Sequence, residues 1–241
     1  MPKRTIFASL ICALLPAGAP TANAALLDRG GGLIYDTVLD ITWLQDANTG
    51  GNRTWAAASS WAENFSYYDS VRGVTWDDWR LPGALPVNGS EYMGELTYNG
   101  TTDHGYNITS TQSELAHLYH VSLGNLSYCE PSSGSTCIEQ EGWELYNTGP
   151  FLNFDRNLYW TSASTFVDGW AIALRTAFTP PNPEVGLPLR GPGYQQLVQT
   201  GFILRSWAVR DGDVAVSPIP EPETYAMLLA GLALLGFQAR R

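Results

Sequence analysis

The chain has 241 residues, a formal net charge of −10 and nine tryptophans. Residues 25–219 carry nine arginines and no lysine against 21 acids, a net of about −12, and such a surface repels phosphate backbones and anionic lipid headgroups. Nucleic acid and peripheral membrane partners are thereby excluded, while the length and the tryptophans suffice for one domain with a sizeable core.

In chain order the first signal is a leader. Lys3 and Arg4 precede an apolar stretch over residues 6–15, and Ala22-Asn23-Ala24 supplies the small-x-small pattern cut by signal peptidase. Residues 1–24 therefore read as a signal peptide, recognised through Ala22 and Ala24 and cut after Ala24, with the mature chain starting at Ala25. Cys12 follows the bulky Ile11, where lipidation needs a small residue, so no lipid is expected. Cys129 and Cys137 then remain. Outside the cytoplasm they are expected to form one disulfide around a Ser/Gly-rich excursion, worth roughly 2.5 kcal/mol for a loop of about nine residues.

Residues 25–216 read as a single domain of mixed secondary structure. Residues 33–44 alternate as one or two strands broken around 36–40. Thr54 caps a helix over 55–64 whose Trp55, Ala58, Ala62 and Phe65 share a face. Thr111-Gln112-Ser113-Glu114 forms a capping box for a second helix over 111–123, ended by Gly124. Each helix has one apolar stripe and is expected to lie against a sheet. Strands are expected at 158–162, 170–174 and 202–210. The Pro/Gly-rich stretch 176–199 reads as a long exposed loop and a candidate ligand surface.

Two metal sets are open to the residue types. His117, His120, Cys129 and Cys137 have Cys2His2 character. A regular helix through Leu115, however, turns both histidines roughly 140–200° away from its apolar stripe, so solvated histidines and a disulfide are expected instead. Calcium is the other candidate, on Asp36, Asp40 and Asp46 or on Glu139, Glu141 and Glu144 near Asp155. Neither set has the spacing of a defined calcium loop, so no cofactor or metal is assigned.

Trp79-Arg80-Leu81-Pro82 reads as a structural corner, with Arg80 expected to hold Asp77 or Asp78. Trp43, Trp55, Trp61, Trp160, Trp170 and Trp207 sit on core stripes, whereas Trp76 and Trp143 are less constrained. No Gly-x-Ser-x-Gly, phosphate-cradling glycine loop or His-Glu-x-x-His is present, so no catalytic residue is assigned and no enzyme is expected.

Residues 217–241 form a tail. Pro220-Glu221-Pro222-Glu223 leads into an apolar run over 225–237 and then Arg240-Arg241. At 1.5 Å per helical residue the run reaches about 20 Å, short of the roughly 30 Å hydrocarbon core. The tail resembles the PEP-CTERM sorting signal of Gram-negative bacteria. The resemblance implies transient membrane insertion through 225–237, processing by an exosortase and release to the cell surface or exopolysaccharide matrix.

The ordered pieces Asp40-Ile41-Thr42-Trp43-Leu44-Gln45-Asp46, Asp78-Trp79-Arg80-Leu81-Pro82, Tyr159-Trp160-Thr161-Ser162 and Trp207-Ala208-Val209-Arg210 resemble the DUF1566 family, also described as the C-terminal domain of the Legionella collagen-like adhesin. That resemblance implies an α+β fold similar to C-type lectins and formylglycine-generating enzymes, with two helices on twisted antiparallel sheets and long loops. It makes Trp43, Trp79, Arg80, Leu81, Pro82, Trp160, Trp207 and Arg210 structural motif residues. The expected function is non-catalytic binding of extracellular polysaccharide. A matrix-modifying hydrolase and a structural matrix component without a discrete ligand are the alternatives.

Overall fold

The structure is a computed structural model that describes residues 26–164, 169–179 and 190–214. The leader with Ala22 and Ala24, the motif Pro220, Glu221 and Pro222, and the apolar run 225–237 lie outside the described residues. So does the centre of the Pro/Gly-rich stretch.

In chain order the strands are β1 (Leu26–Asp28), β2 (Leu33–Asp36), β3 (Ile41–Leu44), β4 (Asn52–Arg53), β5 (Tyr67–Asp69), β6 (Val74–Trp76), β7 (Leu96–Thr97), β8 (His104–Gly105), β9 (Leu158–Ser164), β10 (Trp170–Arg175), β11 (Tyr194–Gln199), β12 (Leu204–Arg205) and β13 (Val209–Asp211). One sheet has the order β1-β2-β3-β13, a second the order β4-β12-β9-β10-β11-β8-β7, and β5 pairs with β6 alone. Helix α1 (Trp55–Glu63) and the short α2 (Glu114–His117) complete the elements. The molecule is therefore mostly sheet with two short helices, an α+β arrangement.

Why β2 and β3 form a hairpin follows from Asp36. Its fully buried carboxylate accepts the Val38 and Leu39 backbone N–H groups at 3.0 and 3.1 Å and so shapes the turn. The strands then bury Leu33, Ile34, Trp43 and Leu44. These pack with Trp207, Phe151, Phe154, Tyr159, the α2 residue Leu115 and Leu118 just after it into one core. Trp207 is its centre, with ring centroids 4.7 Å from Trp43 and 4.9 Å from Phe151.

Helix α1 forms where expected. Its Ala58 and Ala62 are fully buried and share a second cluster with Leu81, Trp160 and Leu204. Small residues on that face let the helix lie close to the sheet, and the Trp55 indole N–H anchors it to the Thr161 carbonyl at 2.9 Å.

The second helix departs from expectation. Its capping box does not form, because the helix starts at Glu114 rather than after Thr111, the Glu114 carboxylate is taken by Arg80 and the Gly83 N–H, and the Ser113 hydroxyl at the actual N-cap donates to Gln195 Oε1. After His117 the chain widens into a π-helical turn over Leu118–Ser122, closed by the Leu123 N–H to Leu118 carbonyl bond at 2.9 Å. The wider turn rotates the following side chains away from the positions a regular helix would give them. The expectation of solvated histidines is corrected, for His120 by this turn and for His117, which precedes it, by the Thr109 segment that meets its ring. His117 is 4% exposed, with Nδ1 donating to the Thr109 carbonyl at 2.8 Å, and His120 turns inward onto Asn125 and Ser127.

Two strand expectations also change. The strand expected at 202–210 is interrupted by Ser206–Ala208 and becomes β12 in one sheet and β13 in the other. The loop expected over 176–199 contains β11, paired along its whole length with β10. Gln195 and Gln196 hid it. Both occupy buried positions that would ordinarily be apolar, satisfied by bonds to Ser113, Asp103 and Arg190.

Candidate functional site

A third aromatic cluster lies apart from these cores. Tyr98, Tyr106, Tyr128 and Tyr194 gather around Cys129, which is bonded to Cys137 as expected. Tyr98 stacks on Tyr106 at 5.9 Å, and Tyr106 on Tyr194 at 4.8 Å. Together with Leu96, Cys137 and Arg190 they line a cleft of about 330 Å³, within the size range of small-ligand sites.

Each wall is held by an identifiable contact. The Asn107 amide, from a residue with φ of +61°, donates to the carbonyls of Tyr98 and Cys129 at 2.7 and 2.9 Å, joining two segments of the wall. Gly191 passes so close over Tyr128 that a Cβ there would sit 2.1 Å from the Tyr128 Cβ. No larger residue fits. The Gly191 N–H then donates to the Tyr106 hydroxyl at 3.1 Å. His104 Nδ1 donates to the Gly94 carbonyl, so its Nε2 accepts the Tyr194 hydroxyl at 2.6 Å and fixes that ring. Burial lowers the His104 pKa and pushes that of Tyr106 up to about 12, keeping both neutral near pH 7.

The rim is aromatic as well. Trp143, which the sequence left unassigned to the core, stacks on Phe178 at 5.2 Å, and both rings contact Tyr128. Phe178 is 40% exposed.

A neighbouring cleft of about 490 Å³ is lined by Trp170, Phe202 and Leu158 with Arg175, Arg190 and Gln196. Arg190 belongs to both clefts and lies 5.5 Å over the Tyr194 ring. It is positioned by a bridge to Thr179 and by a bond from its Nη1 to Gln196 Oε1 at 2.7 Å.

The motif residues lie elsewhere and serve the frame. Arg80 does not hold Asp77 or Asp78. It pairs with Glu114 and Asp211, while Asp78 pairs with Arg210, whose guanidinium also lies 4.2 Å over Trp76. Leu81 and Pro82 are buried at the same corner, and the Trp79 indole N–H meets the Trp76 carbonyl at 3.0 Å. Trp160 donates to the Arg53 carbonyl and Trp207 to that of Leu44.

The candidate calcium carboxylates are likewise engaged separately. Asp36 shapes its turn, Asp40 accepts the Tyr35 hydroxyl, and Asp46 accepts the Asn48 N–H and the Asn153 amide. Glu139 accepts from Tyr128 and Trp143, and Glu144 pairs with Arg156. Among the described residues no group of three or more metal-ligating side chains is placed to hold a metal ion.

Among the described residues Ser127 meets His120 at 3.3 Å. Ser127 has no exposed surface, and the other His120 nitrogen faces the Asn125 carbonyl rather than a carboxylate, so the contact serves packing. The cleft itself escaped sequence reading because its tyrosines come from short strands and loops without periodicity. Of the residues lining the tyrosine cleft, Arg190 and Tyr194 fall inside the stretch 176–199 singled out in advance, as does Phe178 of its rim.

Comparison with known proteins identifies the tail. Residues 218–241 match the family described as the PEP-CTERM protein-sorting motif. That motif marks an exported protein, handled by an exosortase and destined for the cell surface or extracellular space. No curated protein and no solved structure matches the chain. Among the described residues no helix is long and apolar enough to cross a membrane.

Proposed function

We propose that this protein is a surface or exopolysaccharide-matrix component of a Gram-negative bacterium whose single lectin-like, DUF1566-like domain binds extracellular polysaccharide without catalysis. The observation that carries the reading is the tyrosine-walled cleft with its Trp143 and Phe178 rim. Aromatic faces accept sugar C–H groups, tyrosine hydroxyls can donate to or accept from sugar hydroxyls, and Arg190 can donate to sugar oxygens. The sorting motif supplies the setting, an extracellular surface where such polymers are found. On this reading the precursor inserts transiently through 225–237 before an exosortase releases it.

The test is a glycan array probed with the purified full chain, followed by calorimetry on the polymers that score. Trp143→Ala and Phe178→Ala, each at the rim and outside the main core, are expected to weaken binding about tenfold at unchanged melting temperature. Shortening of the polymer during incubation would favour a hydrolase instead, and absence of any binding a purely structural matrix component.

A further inference from the structure

The arginines between residues 25 and 219 divide unevenly. Arg29, Arg72, Arg80, Arg156, Arg205 and Arg210 each meet a carboxylate. Arg53 lies over the Trp61 ring. Arg175 and Arg190 meet no carboxylate among the described residues, although acids outnumber arginines by more than two to one in this part of the chain.

Their surroundings make that exception costly. Arg175 is 9% exposed; its Nη1 donates to Thr179 Oγ1 at 2.5 Å, and its buried Nε has no partner among the described residues. Arg190 lines the same cleft and spends one donor on Gln196. Burial lowers the Arg175 pKa and the charge of Arg190 lowers it further, yet a guanidinium stays protonated in proteins. The two cations therefore repel each other in a half-enclosed space. An anion between them removes the repulsion and can accept from the guanidinium nitrogens that line the cleft.

The shape and the lining narrow its chemistry. A planar carboxylate matches a guanidinium fork through two parallel hydrogen bonds. Trp170 and Phe202 line the same cleft and are apolar, which suits a ring with one charged substituent better than an inorganic ion. We infer that Arg175 and Arg190 form the acid-reading subsite of this surface, and that the polysaccharide it takes is a carboxylated one, with a uronate carboxylate on the arginine pair and the adjoining sugar reaching past Arg190 toward Tyr194. The inference rests on the polysaccharide reading above and adds the class of sugar.

The test compares polygalacturonate, its carboxyl-reduced neutral form and dextran sulfate by calorimetry on the full chain. Polygalacturonate is expected to bind at least tenfold more tightly than either of the others. Arg190→Gln is expected to bring the ratio of polygalacturonate to neutral-polymer affinity down to about one, and Arg190→Lys to restore only part of that ratio. As a check that needs no variant, polygalacturonate should shield Arg190 from phenylglyoxal, read by peptide mass spectrometry. Equal binding of the acidic and neutral polymers, or a preference for dextran sulfate, overturns the carboxylate subsite and leaves the polysaccharide reading standing. A preference that survives Arg190→Gln, or absence of shielding, overturns it in the same way. Failure of all three polymers to bind overturns both.

Discussion

Arg80 and Glu114 meet fork to fork, with Nη1 to Oε2 and Nη2 to Oε1 both at 2.8 Å. The pair joins the corner before Pro82 to the first turn of α2. Arg80 also exchanges two backbone hydrogen bonds with Val209 of β13, so three distant segments converge on one side chain. Glu114 is largely enclosed and accepts the Gly83 N–H as well. Glu114→Gln is expected to cost about 2 kcal/mol, since one charged partner is lost while the shape is kept. Urea unfolding checks this: the midpoint should fall with an unchanged slope, and an unshifted midpoint would show that the pair contributes nothing net.

Trp207 tests the aromatic core. It has no exposed surface, packs on Trp43, Phe151 and Phe154, and donates its indole N–H to the Leu44 carbonyl at 2.7 Å. Trp207→Ala is expected to cost about 4 kcal/mol through the cavity and the orphaned carbonyl. Trp207→Phe keeps much of the volume and should cost less than half as much. Comparable losses in the two variants would contradict this account of the site.

The Cys129–Cys137 bond closes a short loop beside the tyrosine cleft. Reducing it, or replacing both cysteines by serine, is expected to destabilise the protein by about 2.5 kcal/mol without unfolding it at 25 °C. Because Cys137 lines the cleft, the reduced protein should also bind its polymer several-fold more weakly. Melting curves and calorimetry with and without reductant decide the matter.

Acid should weaken the fold through His120. Burial pulls its pKa down to about 4, with the charge of His117 adding to the effect and the acceptor carbonyls of Asn125 and Gly193 opposing it. The unfolded chain takes up a proton near pH 6.5, so this contribution is complete above that value and is lost progressively as the pH falls toward 4. The loss should be about 2 kcal/mol. His104, whose pKa burial also lowers, acts in the same direction. In His120→Gln the fall in stability between pH 7 and pH 4.5 should be visibly smaller than in the parent, and identical slopes would remove His120 as the cause.

Parts of this architecture were legible in local pattern. The β2–β3 hairpin was readable from apolar residues such as Ile34 and Trp43 on either side of 36–40, and α1 because Ala58 and Ala62 share one apolar face at helical spacing. Helix α2 was legible in place but not in form. Nothing in Leu118–Ser122 announces a π-helical turn, and the carboxylate of Glu114 that looked like half of a cap is spent on Arg80. Strand β11 was invisible because Gln195 and Gln196 are polar residues in buried positions, satisfied by partners more than 80 residues away or across a short turn.

By itself the sequence determined the acidic charge, the tryptophan supply for a core, the cysteine pair and the sorting motif at its end, since each is a matter of composition or of a short contiguous pattern. The tertiary structure alone decided which arginine meets which acid, that the histidines face inward, and that Tyr98, Tyr128, Arg175, Arg190 and Tyr194 enclose neighbouring clefts. The physical reason is range. Periodicity reports the face of one element, whereas charge neutralisation and cavity formation depend on segments brought together across most of the chain.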